Sequence, residues 1–325
     1  MLKEKNRRLV IHPRKVYKTF ENFVEDRSIR PYSIAVDGIV ESQTEKYKGK
    51  DGPYANYDHH DRGPEVRASC AQIYMDILRG YFEEEFKPDG TIQIDMHIND
   101  LDEDTLLSWW LLENYEKVLL SKDSEIEERI IDLVTLEDFM DSTGGTLAIP
   151  ERKAEQLDWV FEEYNKSREA VTDMDRQQME MLVPKVTGRI SRYVDGKAER
   201  LQYEGEYRIE EHGENWTIVK EVRDGKTEGN PKARRAICRA GIRDFATIIG
   251  ERENGSLVYS LFFSQIREDD EVRKVYQAIN QKEKDKGTHV TESNKWGGSN
   301  TGGGSPRQTG SFLTPEELLS ALEDC

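Results

Sequence analysis

SIAVDGIV, residues 33–40, is a short apolar run broken by Asp37-Gly38. Such a run suits a buried strand that ends in a loop. The polar, glycine-containing stretch from Ser42 to Tyr54 predicts a loop. Residues 66–79 then carry Val66, Cys70, Ile73, Tyr74 and Ile77 at helical spacing. A second run, TIQIDM at 91–96, predicts another strand, followed by a polar turn from His97 to Asp104. The next helix, over 105–119, has Trp109, Trp110, Leu111 and Leu112 in succession. A helix apolar on most sides is a buried one. Another helix spans 125–140 and stops at the turn chemistry of Asp141-Ser142-Thr143-Gly144-Gly145. Strand, helix, strand, helix predicts an α/β domain with a mainly parallel sheet and helices on both faces. Ligands of such sheets sit beyond the carboxyl ends of the strands. Asp37, Asp58 to His60, and His97 to Asp104 all fall at expected strand ends.

The remainder reads as a smaller α+β C-terminal domain. Residues 150–182 are polar and helical, with Leu157, Val160, Phe161 and Tyr164 on one stripe, which suits a connecting helix. Residues 186–222, with turns at Asp195-Gly196 and His212-Gly213, predict antiparallel strands. Residues 232–281 begin with a basic helix, continue as two strands around Glu253-Asn254-Gly255, and end in a helix through Val272, Val275, Tyr276 and Ile279. A last helix starts at Thr314-Pro315-Glu316-Glu317, an N-cap threonine followed by proline.

The 325 residues hold 47 Lys plus Arg against 64 Asp plus Glu, a net charge of −17. That surface repels nucleic acid at long range and argues against gripping long duplexes. A small phosphorylated substrate stays compatible, because bound cations reverse the sign locally. Three scattered cysteines, Cys70, Cys238 and Cys325, suit neither a disulfide framework nor a thiolate zinc site. With no secretory signal and no apolar run of about 18 residues, the expectation is a cytoplasmic protein without a membrane partner.

Six histidines occur, and three sit beside carboxylates in polar segments. Asp58-His59-His60 runs on into Asp61 and Arg62. His97 opens a run holding Asp100, Asp102, Glu103 and Asp104, which would also suit an acidic cap on the next helix. Imidazole with carboxylate suits divalent ions such as Mn²⁺ and Fe²⁺. His12, His212 and His289 lack such neighbours and read as surface or turn residues.

These segments together resemble the DHH phosphoesterase superfamily, which includes RecJ-type exonucleases, oligoribonucleotide phosphodiesterases and manganese-dependent pyrophosphatases. Ile34-Ala35-Val36-Asp37-Gly38 is similar to its strand ending in Asp. Asn56-Tyr57-Asp58-His59-His60 is similar to its Asp-His-His signature, and His97 to Asp104 to its His-x-x-x-Asp-x-Asp motif. Asp141 to Gly145 is similar to its later lone Asp. The likeness covers roughly residues 30–150. Here the His97 motif follows the Asp-His-His signature, a permuted order, and has one extra residue, so Asp100 is an alternative to Asp102.

The resemblance implies a DHH-like metal-binding catalytic domain over 1–150, a helical connector over 151–185 and a substrate-binding domain over 186–325. It implies two divalent cations, Mn²⁺ or Mg²⁺. His97 and Asp102 would hold one, and Asp104, His59 and Asp141 the other, with Asp37 bridging. Asp138 is the alternative to Asp141. Asp58 would orient an imidazole, and His60 would face the leaving group. The implied activity is hydrolysis of a phosphodiester or phosphoanhydride bond in a nucleotide, short oligonucleotide or other small phosphate compound. The alternative is a non-catalytic nucleotide- or metal-binding regulatory protein on the same fold. Partners would be the small phosphorylated substrate or a short single strand, with a homodimer left open.

A glycine-rich segment, Trp296 to Arg307 within 296–311, reads either as a flexible linker or as a phosphate cradle. By resemblance to the family's substrate-closing Gly-Gly-His loop, though lacking the histidine, Gly303, Gly304, Ser305 and Arg307 are its candidate substrate contacts. Lys232, Arg234, Arg235, Arg239 and Arg243 form a basic helix face.

Overall fold

The computed structural model describes residues 6–59, 67–145, 149–170, 174–201, 205–263, 269–292, 294–298 and 301–325. The chain is a mixed α/β protein with two multi-stranded sheets, one of them mostly parallel. It divides into two compact units. The first comprises Met1–Ser142, Glu155–Asn165 and Met174–Arg200. The second comprises Thr143–Ala154, Lys166–Asp173 and Leu201–Cys325.

The first unit runs β1 (Arg7–Ile11), α1 (Phe20–Glu25), β2 (Ser33–Val36), β3 (Glu45–Lys48), β4 (Pro53–Tyr57) and α2 (Ser69–Leu78). It continues through α3 (Tyr81–Glu85), β5 (Ile94–Ile98), α4 (Glu103–Glu113), α5 (Tyr115–Leu120) and α6 (Ser124–Ser142). The middle of α7 (Glu151–Ala170) and all of α8 (Arg176–Val194) belong to it too. The sheet order is β1-β5-β2-β4-β3, parallel except for β3, which pairs antiparallel with β4. Every residue of β2, β4 and β5 is buried, as expected of strands covered on both faces. Because β1, β5, β2 and β4 run the same way, their carboxyl ends share one edge.

Several elements differ from the sequence expectation. The expected loop 42–54 contains β3 and the start of β4. In β4 the polar Asn56 is tolerated inside because its amide donates to the Ser42 and Gln43 carbonyls, both at 2.9 Å. β5 lies at 94–98 instead of 91–96, which takes His97 into the sheet. α6 extends to Ser142, so Asp138 and Asp141 are both helical. Residues 186–194, expected as strand, continue α8. This helix starts in a capping box between Asp175 and Gln178 and buries Met179, Leu182, Val186, Ile190 and Val194 along one face. Trp110 on α4 donates to Ser191 Oγ at 2.8 Å and ties α8 to the first unit.

The second unit runs β6 (Gly205–His212), β7 (Trp216–Arg223), β8 (Lys226–Thr227), α9 (Pro231–Arg239), β9 (Asp244–Glu251) and β10 (Leu257–Phe262). α10 (Asp269–Asp285), β11 (Gly297–Gly298), β12 (Gly302–Gly304) and α11 (Pro315–Glu323) complete it. Its sheet has the order β11-β12-β10-β9-β7-β6, with β8 beside β7. The expected hairpin at Asn254-Gly255 and the capped helix at Thr314 are both present. Glu283 on α10, fully buried, accepts from Trp296 Nε1 at 3.0 Å, from Thr288 Oγ1 at 2.8 Å and from Ser311 Oγ. It thereby pins the glycine-rich segment to the unit's core. Among the described residues no helix is long and apolar enough to cross a membrane.

Candidate metal centre

Asp37 follows β2 directly and adopts φ +53°, with Gly38 at +73°. Asp is one of the few side chains that visit this left-handed region readily. Its backbone N–H donates to the Tyr57 carbonyl at 2.9 Å, which locks the end of β2 to the end of β4. His59 lies two residues past β4. Before it, Asp58 is buried, its N–H donates to Thr44 Oγ1 at 3.2 Å, and its carboxylate accepts the His59 N–H at 2.7 Å. Asp58 therefore shapes the turn that presents His59.

The third contributor comes from α4. Asp102 caps that helix, with its carboxylate accepting the Thr105 N–H at 2.6 Å. Two residues on, Asp104 is 1% exposed and spans to the start of α2, accepting Ser69 N–H at 2.8 Å and Cys70 N–H at 2.7 Å. A carboxylate at a helix N-terminus is favoured by the free N–H groups and the dipole.

Ligand atoms of Asp37, His59 and Asp104 lie within 4.8 Å of one another. His59 Nε2 is 3.3 Å from Asp37 Oδ1 and 3.0 Å from Asp141 Oδ2. Burial disfavours the imidazolium, but Asp141 and Asp37 outweigh it and push the His59 pKa up to about 12. Burial, then the Asp141 charge, pushes Asp104 up to about 6. Around them stand more acids. Burial pushes Glu103 up to about 7, against a hydrogen bond from Asn165. Glu137, 2% exposed, is pushed well above the carboxylate range, by burial first and then by Glu103, Asp141, Asp104 and Asp102. Asp138 accepts the Ala68 N–H at 2.8 Å and so fixes the entry to α2.

Carboxylates that raise one another's pKa around one imidazole are electrostatically suited to a divalent cation. The nitrogen and oxygen donors suit Mn²⁺, Fe²⁺ or Mg²⁺. Cys70 meets the cluster through its backbone N–H, while burial holds its thiol protonated.

Of the expected site residues, the structure thus brings together Asp37, His59, Asp104 and Asp141. His97 has other neighbours. It lies inside β5, in register with Ala35 of β2, so its ring points to a sheet face. Its Nδ1 is 2.9 Å from His12 Nε2 and its Nε2 is 3.1 Å from Ser33 Oγ. The His12 and His97 rings stack at 5.2 Å, and Phe23 meets His97 edge-on. His12, expected as a surface or turn residue, is partly buried. His60 lies outside the described residues.

In the glycine-rich segment, Gly303 and Gly304 form β12 with Gly302. A Cβ on Gly303 would come within 2.2 Å of the Tyr276 hydroxyl and 2.4 Å of the Gly297 carbonyl, so the hairpin requires glycine there. Ser305 is buried and its Oγ accepts the Tyr259 N–H at 3.0 Å. Arg307 is exposed.

The sequence matches no protein-family model and no curated protein.

A buried acid that sequence reading did not single out is Glu137. A signal existed: Ile130, Val134, Glu137 and Asp141 follow one another at helical spacing, which sets a glutamate on an apolar stripe.

Proposed function

We propose that the protein is a two-metal-dependent phosphoesterase acting on a nucleotide, short oligonucleotide or other small phosphate compound. The observation that carries this reading is the convergence of Asp37, His59 and Asp104 within 4.8 Å at the carboxyl edge of a parallel sheet. Binding sites of open α/β sheets lie at that edge. The likeness of these segments to the DHH superfamily supports the reaction class.

A divalent cation held by Asp37, His59 and Asp104 would stabilise charge developing on a phosphoryl oxygen. The chain's own groups give the site its rigidity. Two N–H donors of α2 orient Asp104. The left-handed turn aims Asp37. Asp141 Oδ2 lies 3.0 Å from the same Nε2 that faces Asp37, where it would share the cation with His59. By the resemblance, His60 would face the leaving oxygen.

The test is hydrolysis of a phosphodiester, pyrophosphate and oligonucleotide panel with Mn²⁺ or Mg²⁺. Activity that chelation abolishes, and that Asp37→Asn lowers at least 100-fold, as expected for loss of transition-state charge stabilisation, supports the proposal. A second reading is favoured by one observation: His59 can close an ion triad with Asp37 and Asp141 without a cation. A regulatory protein of this kind would bind nucleotide or metal and turn nothing over on the same panel.

A further inference from the structure

β1, β5 and β2 end level with one another, since Ile11 pairs with Ile98 and Ala35 with His97. Hydrogen bonds join the turns that follow these strands. The His12 N–H donates to the Ile98 carbonyl at 2.9 Å, and the Arg14 N–H to the Asn99 carbonyl at 3.1 Å. The Asn99 side-chain amide donates in turn to the Gly38 carbonyl at 3.1 Å. Arg14 is thereby held on the same sheet edge as Asp37, two strands away, which is roughly 10 Å at the usual spacing.

Arg14 adopts φ +62°, in the left-handed region that a side chain of this kind enters at a cost. Such strain persists where the surrounding structure enforces it, and it gathers at ligand-binding positions. A second guanidinium stands at the same strand end. Arg176, the first residue of α8, donates through Nη2 to the Ile11 carbonyl. That carbonyl engages one of its five N–H donors. The neighbouring Lys15 is engaged by Asp26 at 2.8 Å and by the Tyr17 ring. Arg14 and Arg176 are both exposed. In a chain of net charge −17, two arginines on the ligand-binding edge reverse the sign locally and draw an anion there.

We propose that Arg14 and Arg176 receive a second phosphate of the substrate, set apart from the one at the metal centre. This rests on the phosphoesterase reading above. The group of Asp37, His59 and Asp104 engages the scissile phosphate, and the two guanidinium groups take its neighbour, as their donor geometry suits phosphate oxygens. The separation exceeds what a pyrophosphate spans and matches phosphates borne by adjacent nucleotides. The pair therefore favours a substrate with a terminal phosphate over one that carries the scissile group alone.

The experiment is steady-state hydrolysis, by the full chain with Mn²⁺, of one dinucleotide in three forms: unphosphorylated, with a 5′-phosphate and with a 3′-phosphate. The wild type is expected to prefer a phosphorylated form by about 10-fold or more in kcat/KM, mainly through KM, the scale of a hydrogen bond to a charged group. Arg14→Gly and Arg176→Gln should each bring that preference below about threefold. Arg14→Lys, which keeps the charge, should retain more of it. Arg14→Gly should melt no lower than the wild type, because φ +62° suits glycine. A clearly lower melting temperature would make the Arg14 side chain a support of the fold and overturn the inference. Equal hydrolysis of all three forms by the wild type, or a preference that survives both variants, would overturn it and leave the phosphoesterase reading standing. No hydrolysis of any form would overturn it too, and would take that reading with it if pyrophosphate and a simple phosphodiester are also left intact.

Discussion

His59 Nε2 lies 3.0 Å from Asp141 Oδ2, a contact between the end of β4 and the last turn of α6. Two elements far apart in sequence meet in one charge pair. In the absence of metal the proton on His59 does what a cation does when bound: it neutralises part of an acidic cluster.

That exchange has a measurable consequence. With its pKa near 12, the imidazole is protonated at neutral pH in the metal-free protein. A ligating imidazole must be neutral, so ion binding releases its proton. At about pH 8, calorimetry in buffers of different ionisation enthalpy should show at least one proton released per molecule as Mn²⁺ binds. Metal binding with no proton release would show that His59 is not a ligand.

The His12–His97 pair makes stability fall in acid. Burial first, with the charges of His12, Arg8 and Lys15 adding, pushes His97 down to about 3 from an ordinary value of 6.5. Between those values the unfolded chain carries the proton and the folded chain does not. The stability tied to neutral His97 is therefore complete above about pH 6.5 and declines as pH falls toward 3. The melting temperature of the wild type should drop more steeply between pH 7 and 4 than that of His97→Gln. Equal slopes would mean that His97 titrates freely.

Glycine substitutions separate close packing from composition. A Cβ on Gly303 would clash with Tyr276 Oη and the Gly297 carbonyl, whereas Gly188, exposed on α8, has nothing within 4 Å. Gly303→Ala should cost about 2 kcal/mol through overpacking. Gly188→Ala should add up to about 1 kcal/mol by helix propensity. Chemical denaturation midpoints read both. A neutral Gly303→Ala would indicate a loose hairpin, as a linker would have.

Much of this architecture is legible in the residues. The burial of SIAV and the Asn254-Gly255 turn carry local physical signals and form as expected, and the apolar wall around Trp109 and Trp110 is buried as expected, although the helix expected over 105–119 breaks at Asn114 into α4 and α5. β4 was hidden because Asn56 breaks its apolar pattern, and only tertiary bonds from its amide nitrogen to the Ser42 and Gln43 carbonyls hold that side chain inside. A shift in the bounds of β5 decided where His97 points, because a residue inside a strand faces a layer while one beyond its end faces the edge. In the acidic run, sequence could not say which carboxylate caps and which turns inward. Asp102 caps α4, and Asp104 reaches across to α2. Such division of labour depends on neighbours distant in the chain.

The most direct test of the account is equilibrium Mn²⁺ binding to metal-stripped wild type beside Asp37→Asn and His59→Ala. The account predicts that the wild type binds specifically. Each variant should lose at least one ion, with a circular dichroism spectrum like that of the wild type. Unchanged binding in both variants, or no specific binding in the wild type, would contradict a metal centre built on Asp37, His59 and Asp104.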